Sequence, residues 1–325
     1  MSKCSRLVSV LLSQSILVSF VTTKPQGNLA QTKIASEGRT TSDSPPQILL
    51  RVAVTDSKGR LIANLKQDAF TIIDRDAEQS ISLFANEDVA ASIVFLIDTS
   101  GSMKYGPTPA MIKQSIVRFI QQGRNDNEYL ILSYADHAQL LVDWTRDLNQ
   151  IAGALNSLAH AVPKGSTAAY DACDRAIESV RVRPNPKHVV ILITDGEDNT
   201  SHDSFARVRE SLKRSDVIVY AAFVFRDIES SFSGQRFLRD ILSFSGGTGF
   251  PVNSGPTMNE TFDFFARELR HQYLIGYRPN NSDAGWHPVK IMVRAIEILG
   301  LPKTNKPQKL SARTRQGYYG ADLTR

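Results

Sequence analysis

Three stretches, ASIVFLID (residues 91–98), HVVILITD (188–195) and VIVYAAFVF (217–225), are nearly unbroken apolar runs rich in β-branched residues. A strand with one wet face alternates apolar with polar. A strand that does not alternate has both faces buried, as in a parallel sheet held between helices. Stretches of helical spacing surround these runs. In residues 108–121, Met111, Ile112, Ser115, Ile116, Phe119 and Ile120 recur on one side, and in residues 167–182 Ala168, Ala172, Ala176, Ile177 and Val180 do the same. LNQIAGALNSLA, SHDSFARVRESLKRSD, QRFLRDILSFSG and MNETFDFFARELR read as further helices. NEYLILSYA and AQLLVDWT read as strands joined at an Asp136-His137 turn, and GTGFPV as a short edge strand. Strands alternating with helices of roughly 10–15 residues predict an α/β fold: a doubly wound, mostly parallel sheet with helices on both faces.

The flanks differ. Residues 1–30 place Lys3 and Arg6 ahead of a Ser-interrupted apolar stretch from Leu7 to Val21, the layout of a secretory leader. Export to the periplasm, the cell surface or the medium follows, with membrane contact only if this segment is retained. Residues 31–46, polar and ending in a Pro pair, read as a linker. Residues 47–88 contain alternating stretches at Leu49–Thr55, Phe70–Asp74 and Ser80–Phe84, a small β-rich region with little core of its own. The α/β domain is assigned to residues 90–275. Residues 276–325 return to β patterning in HPVKIMVRA and KLSARTRQGYYG, which are either extra edge strands or partners of the 47–88 strands.

Of the formal charge of +5, Lys3, Arg6 and Lys24 supply three, so the rest of the chain carries +2. That balance gives no support to a nucleic-acid partner. Without the leader and its Cys4, Cys173 is the sole cysteine, which rules out an intramolecular disulfide; within a helical pattern it reads as a small buried apolar residue.

In an open α/β sheet the functional crevice lies at the carboxyl ends of the strands. Two apolar runs end there in acids, Asp98 and Asp195. A carboxylate buried at such a place needs a hydrogen bond, a counter-charge or a cation. Ser100 and Ser102 add hydroxyl oxygens, with Gly101 between them to let the loop turn back, and the PKGSTAAYDA turn offers the hydroxyl of Thr167. Carboxylates and hydroxyls without sulfur or imidazole describe a hard-ion site: Mg²⁺ first, then Mn²⁺ or Ca²⁺. The six histidines are scattered without ligand spacing, which argues against zinc. The string DTSGS fails as a G-x-S-x-G nucleophile elbow, and the phosphate-loop string is absent. No small-molecule cofactor is indicated. An Asp and two Ser after one strand are often no more than a cap and turn; three such elements together are harder to explain that way.

DTSGSM, with VVILITDGEDN later in the chain, resembles the metal-ion-dependent adhesion site of the von Willebrand factor type A domain. The resemblance covers roughly residues 90–275, and the flanks VTDSKGRLIANLKQDAFTIIDRD, QYLIGYRPNN and RTRQGYYG resemble those of a bacterial exported family related to it. It implies that Asp98, Ser100, Ser102, Thr167 and Asp195 hold a divalent ion, Asp195 directly or through water. It also implies a protein partner whose Asp or Glu completes the coordination.

The neighbouring residues have plainer readings. Glu197 and Asp198 are solvated acids that deepen the negative field, Asp136 and His137 form a turn, and Asp171 holds its loop. Trp286, Tyr318 and Tyr319 belong to a small core rather than a recognition surface, and the aromatics of FFARELRHQYLIGY pack. The expected function is therefore divalent-cation-dependent protein binding. Two alternatives stand beside it: a hydrolase using the same ion with Glu197, Asp198 or His137 as base, and a scaffold that docks without metal.

Overall fold

A computed structural model describes residues 47–159, 163–224, 232–280, 283–294 and 309–320. The expected leader and linker, residues 1–46, lie outside the described residues.

The chain opens with four strands, β1 (Ile48–Asp56), β2 (Phe70–Asp74), β3 (Ala77–Gln79) and β4 (Ile81–Glu87). The α/β layer follows with β5 (Ala91–Asp98), α1 (Pro109–Gln122), β6 (Glu128–Tyr134), β7 (Ala138–Thr145), α2 (Leu148–Ala159), α3 (Ala169–Arg181) and β8 (Lys187–Thr194). It continues with α4 (Phe205–Lys213), β9 (Ile218–Phe223), α5 (Phe232–Ser245), β10 (Gly249–Pro251) and α6 (Gly255–Arg270). The last strands are β11 (Gln272–Tyr277), β12 (Trp286–Val293), β13 (Leu310–Arg313) and β14 (Gly317–Tyr319).

The central sheet has the order β10-β9-β8-β5-β6-β7. Its strands are parallel except β7, which returns antiparallel on β6 through the Asp136-His137 corner. Every residue of β5 is buried, and the two sides of its pleat enter different cores. Ile93, Phe95 and Ile97 pack with Ile116, Phe119, Leu155, Phe262 and Phe265, from α1, α2 and α6. Val94 and Leu96 pack with Ala176, Val208 and Leu238, from α3, α4 and α5. The missing alternation in the sequence thus has its cause in two apolar layers. Helix α1 begins where Thr108 accepts from Met111 N at 3.3 Å, with Pro109 at the first helical position. Among the described residues no helix is long and apolar enough to cross a membrane.

The remaining strands form two four-stranded sheets, β13-β1-β11-β4 and β14-β12-β2-β3, closing over Leu50, Val52, Ile72, Tyr273, Tyr277 and Tyr318. Of the two readings open for the C-terminal segment, pairing with the first strands is the one found: β13 lies against β1, and β12 against β2. The boundary drawn at residue 275 falls inside β11, which pairs with β1 and β4 and not with the central sheet. The α/β layer therefore ends with α6.

This β region sits at the amino ends of the parallel strands. The ammonium of Lys187, first residue of β8, donates to the carbonyls of Glu87 and Leu269, both at 2.6 Å. Arg51 of β1 pairs with Asp216, just before β9, at 3.3 Å.

Candidate functional site

Because β5 and β8 run parallel and adjacent, Asp98 and the Thr194-Asp195 pair emerge side by side. Asp98 and Asp195 are only 2% and 3% exposed. Asp98 Oδ1 accepts from Ser100 N at 2.9 Å, and Oδ2 accepts from the hydroxyls of Thr194 at 3.0 Å and Tyr134 at 3.2 Å. Burial is the main cause that pushes the Asp98 carboxyl up to about 6; hydrogen bonds from Ser100 oppose the shift, and the like charge of Asp195 adds to it. The Ser100 and Ser102 hydroxyls lie 2.9 Å apart on the turn that follows. Asp195 Oδ1 accepts from Glu197 N at 3.2 Å, whereas its Oδ2 is buried with no hydrogen-bond partner. A buried carboxylate oxygen left without a donor is costly, and a bound cation is one way to satisfy it.

Thr167 is buried on the loop before α3. Its amide donates to Asn199 Oδ1 at 2.8 Å, and its carbonyl accepts from Asn199 N at 2.8 Å and Thr200 N at 3.1 Å, joining this loop to the one after Asp195. On the other side Gly101 N donates to Gly165 O at 3.2 Å, and Lys164 N to Thr99 O at 3.0 Å. The three sequence segments that supply Asp98, Ser100, Ser102, Thr167 and Asp195 are thus tied together by main-chain and amide bonds. Gly101 makes its turn without a left-handed conformation; at this site positive φ falls at Gly165 (87°) and Gly196 (82°).

Asp136 Oδ1 accepts from Ser166 N at 2.6 Å, so the turn residue braces the Thr167 loop from below. Asp198 Oδ1 accepts from Tyr170 N at 3.1 Å and from the Ser201 hydroxyl, which commits this carboxylate to capping α3 rather than to solvent. Asp171 accepts from His202 N at 2.9 Å and Asp203 N at 2.8 Å, holding the loop before α4 and not its own. Trp286 packs edge-on against Tyr319, and Tyr318 is buried in the β region.

Three residues that position the site were not singled out from the sequence: Tyr134, Thr194 and Asn199. Thr194 had a signal, a hydroxyl ending a fully apolar strand next to an acid. Tyr134 and Asn199 had none, since their roles depend on which strand and loop end beside Asp98 and Thr167. Among the described residues no group of three or more His, Cys, Asp and Glu is placed to hold a metal. The donor set here is two carboxylates and three hydroxyls, and it fits a hard divalent cation only if the hydroxyls take part.

Residues 93–197 match the family model of the von Willebrand factor type A domain. No curated protein sequence matches the chain significantly. Among solved structures, similarity is found to the PilB minor pilin of Streptococcus sanguinis, with 14% identity and a TM-score of 0.48 over 57% of this chain and 63% of the pilin. The chain thus spans less than two thirds of that relative. A von Willebrand factor type A protein of Catenulispora acidiphila shows 14% identity and a TM-score of 0.49 over 88% of this chain and 76% of its own. Proximal thread matrix protein 1 of the mussel byssus, with a zinc-occupied adhesion-site motif, shows 20% identity and a TM-score of 0.47 over 61% and 50% of the two chains. The stretch that matches the von Willebrand factor type A domain, residues 93–197, runs from β5 through β8 of the central sheet, with helices on both of its faces.

Proposed function

We propose that the chain is an exported protein-binding module whose affinity for its partner depends on a divalent cation, Mg²⁺ foremost. Asp98, Ser100, Ser102, Thr167 and Asp195 would hold the ion. When bound, the ion supplies a Lewis-acidic position for a carboxylate from the partner's Asp or Glu. The protein's own residues do the rest: Thr194 and Tyr134 fix Asp98, Asn199 fixes the Thr167 loop, and burial of both acids raises their need for a counter-charge.

One observation supports this reading above the others. Asp195 Oδ2 is buried without a donor beside a second buried carboxylate, and the adjoining hydroxyls of Ser100 and Ser102 face each other at 2.9 Å. Calorimetric titration of the purified chain with Mg²⁺ and with Mn²⁺ tests it. About one ion per chain should bind, and Asp98→Ala should abolish binding while the circular dichroism spectrum stays that of the wild type. An Asp98→Ala protein that is folded and binds the ion as before would refute the assignment.

A further inference from the structure

His188, the second residue of β8, is half-buried at the amino end of the central sheet, and both of its ring nitrogens are bonded. Nδ1 lies 2.7 Å from Asp216 Oδ1, and Nε2 lies 3.0 Å from the Arg183 carbonyl oxygen. A carboxylate and a carbonyl can only accept. Both nitrogens must therefore donate, and a neutral imidazole carries one N–H where this site requires two.

The same partners lead to the β region. Arg51 of β1 donates to Asp216 Oδ2 at 3.3 Å and to the carbonyl of Pro186, which shares the bend at residues 183–186 with Arg183. Other elements place the remaining charges. Arg315, between β13 and β14, faces Asp216; Glu87 of β4 lies 3.5 Å from Arg51 Nε; the Arg183 guanidinium pairs with Glu128 of β6 at 2.8 Å. Lys187, next in the strand, sends its ammonium to the carbonyls of Glu87 and Leu269 instead. Burial disfavours a charged His188 ring, and so does Arg51. The bonds to Asp216 and to the Arg183 carbonyl outweigh both and hold the imidazole above the usual histidine range.

We propose that His188 is a proton-operated clasp between the α/β layer and the β region. With both nitrogens protonated it ties the 183–186 bend to Asp216, and Arg51 grips that tied pair from β1. Loss of one proton leaves a lone pair facing an acceptor. The bond to the carboxylate is the stronger of the two, so the Arg183 carbonyl is the one repelled, and the bend loosens from Arg51.

Histidine-selective ¹⁵N labelling of the full chain tests this, with the His188 signals identified by their absence in His188→Gln. The ring should titrate with a midpoint above that of free histidine, about 6.5, and carry two N–H groups below it. Asp216→Asn should bring that midpoint down. Hydrogen exchange in the bend and in β1, corrected for its intrinsic pH dependence, should quicken about tenfold as the pH rises through the midpoint in the wild type and stay level in His188→Gln. Stability follows the same sign: the contribution of the proton is complete below about pH 6.5 and is lost as the pH rises through the folded midpoint. The urea midpoint of the wild type relative to His188→Gln should fall across that window, since Lys187 titrates in both proteins and cancels. A His188 midpoint at or below that of free histidine, or exchange in the bend and β1 that does not change across it, would overturn the proposal. If His188→Gln does not fold, the midpoint in Asp216→Asn and the wild-type exchange decide the matter.

Discussion

Asp98 is gripped by a main-chain amide and two buried hydroxyls that come from three different strand ends, and this grip fixes where its carboxylate points. Partners of this kind tune ligands they never replace. Thr194→Val removes a donor to Asp98 and the acceptor of Gly196 N, so Mg²⁺ affinity should drop by about tenfold to a hundredfold with the fold retained. Tyr134→Phe should give a smaller loss and cost about 1 kcal/mol of stability, read from urea unfolding. Equal Mg²⁺ affinity in both variants and the wild type would mean that Asp98 needs no such orientation. The five candidate ligands were legible in the sequence because three of them crowd into DTSGS and the others follow short, recognisable punctuation. The residues that orient them were not, because Tyr134 and Asn199 acquire their roles only when separate strands and loops end side by side.

At the scale of elements, the strands most legible in sequence are those with both faces buried; β11 reads as a strand after the last helix, but the sheet it joins does not. It follows α6 with no turn signal, and FFARELRHQYLIGY gives no hint that the chain leaves one sheet for another. The contacts that fasten the C-terminal strands to the α/β layer were hidden too, since they join residues far apart. Glu268 on α6 is buried, and the Arg313 guanidinium from β13 reaches its Oε2 at 2.5 Å. Arg313→Leu leaves that carboxylate without its counter-charge and should cost about 3–5 kcal/mol; combining it with Glu268→Gln should recover part of the loss. Gly246 has φ of 75°, and a Cβ there would lie 2.3 Å from the Thr314 carbonyl carbon. Gly246→Ala should therefore lower stability by about 2 kcal/mol or more, or displace β13, and the urea midpoint decides the size of the effect.

Across the whole molecule, strands from both flanks of the α/β layer build one β region on the amino ends of the parallel strands. The sequence left this pairing open because β patterning alone does not name a partner strand. Lys187 stands at the join, where burial pulls its ammonium down to about 8 from 10.5. Between these values the unfolded chain holds a proton that the folded chain has released, so stability rises with pH across this window. Relative to Lys187→Met, the wild type should gain about 2 kcal/mol from pH 8 to 10.5, measured by urea unfolding at each pH. A constant difference would mean that the ammonium is not desolvated at the join.

The crevice and the β region occupy opposite ends of strands that are hydrogen-bonded side by side through β5, β6, β8 and β9. A pull applied between the crevice and the β region would run along those strands. Their ladders would then be loaded in shear, many bonds sharing the force at once, rather than peeled open one after another.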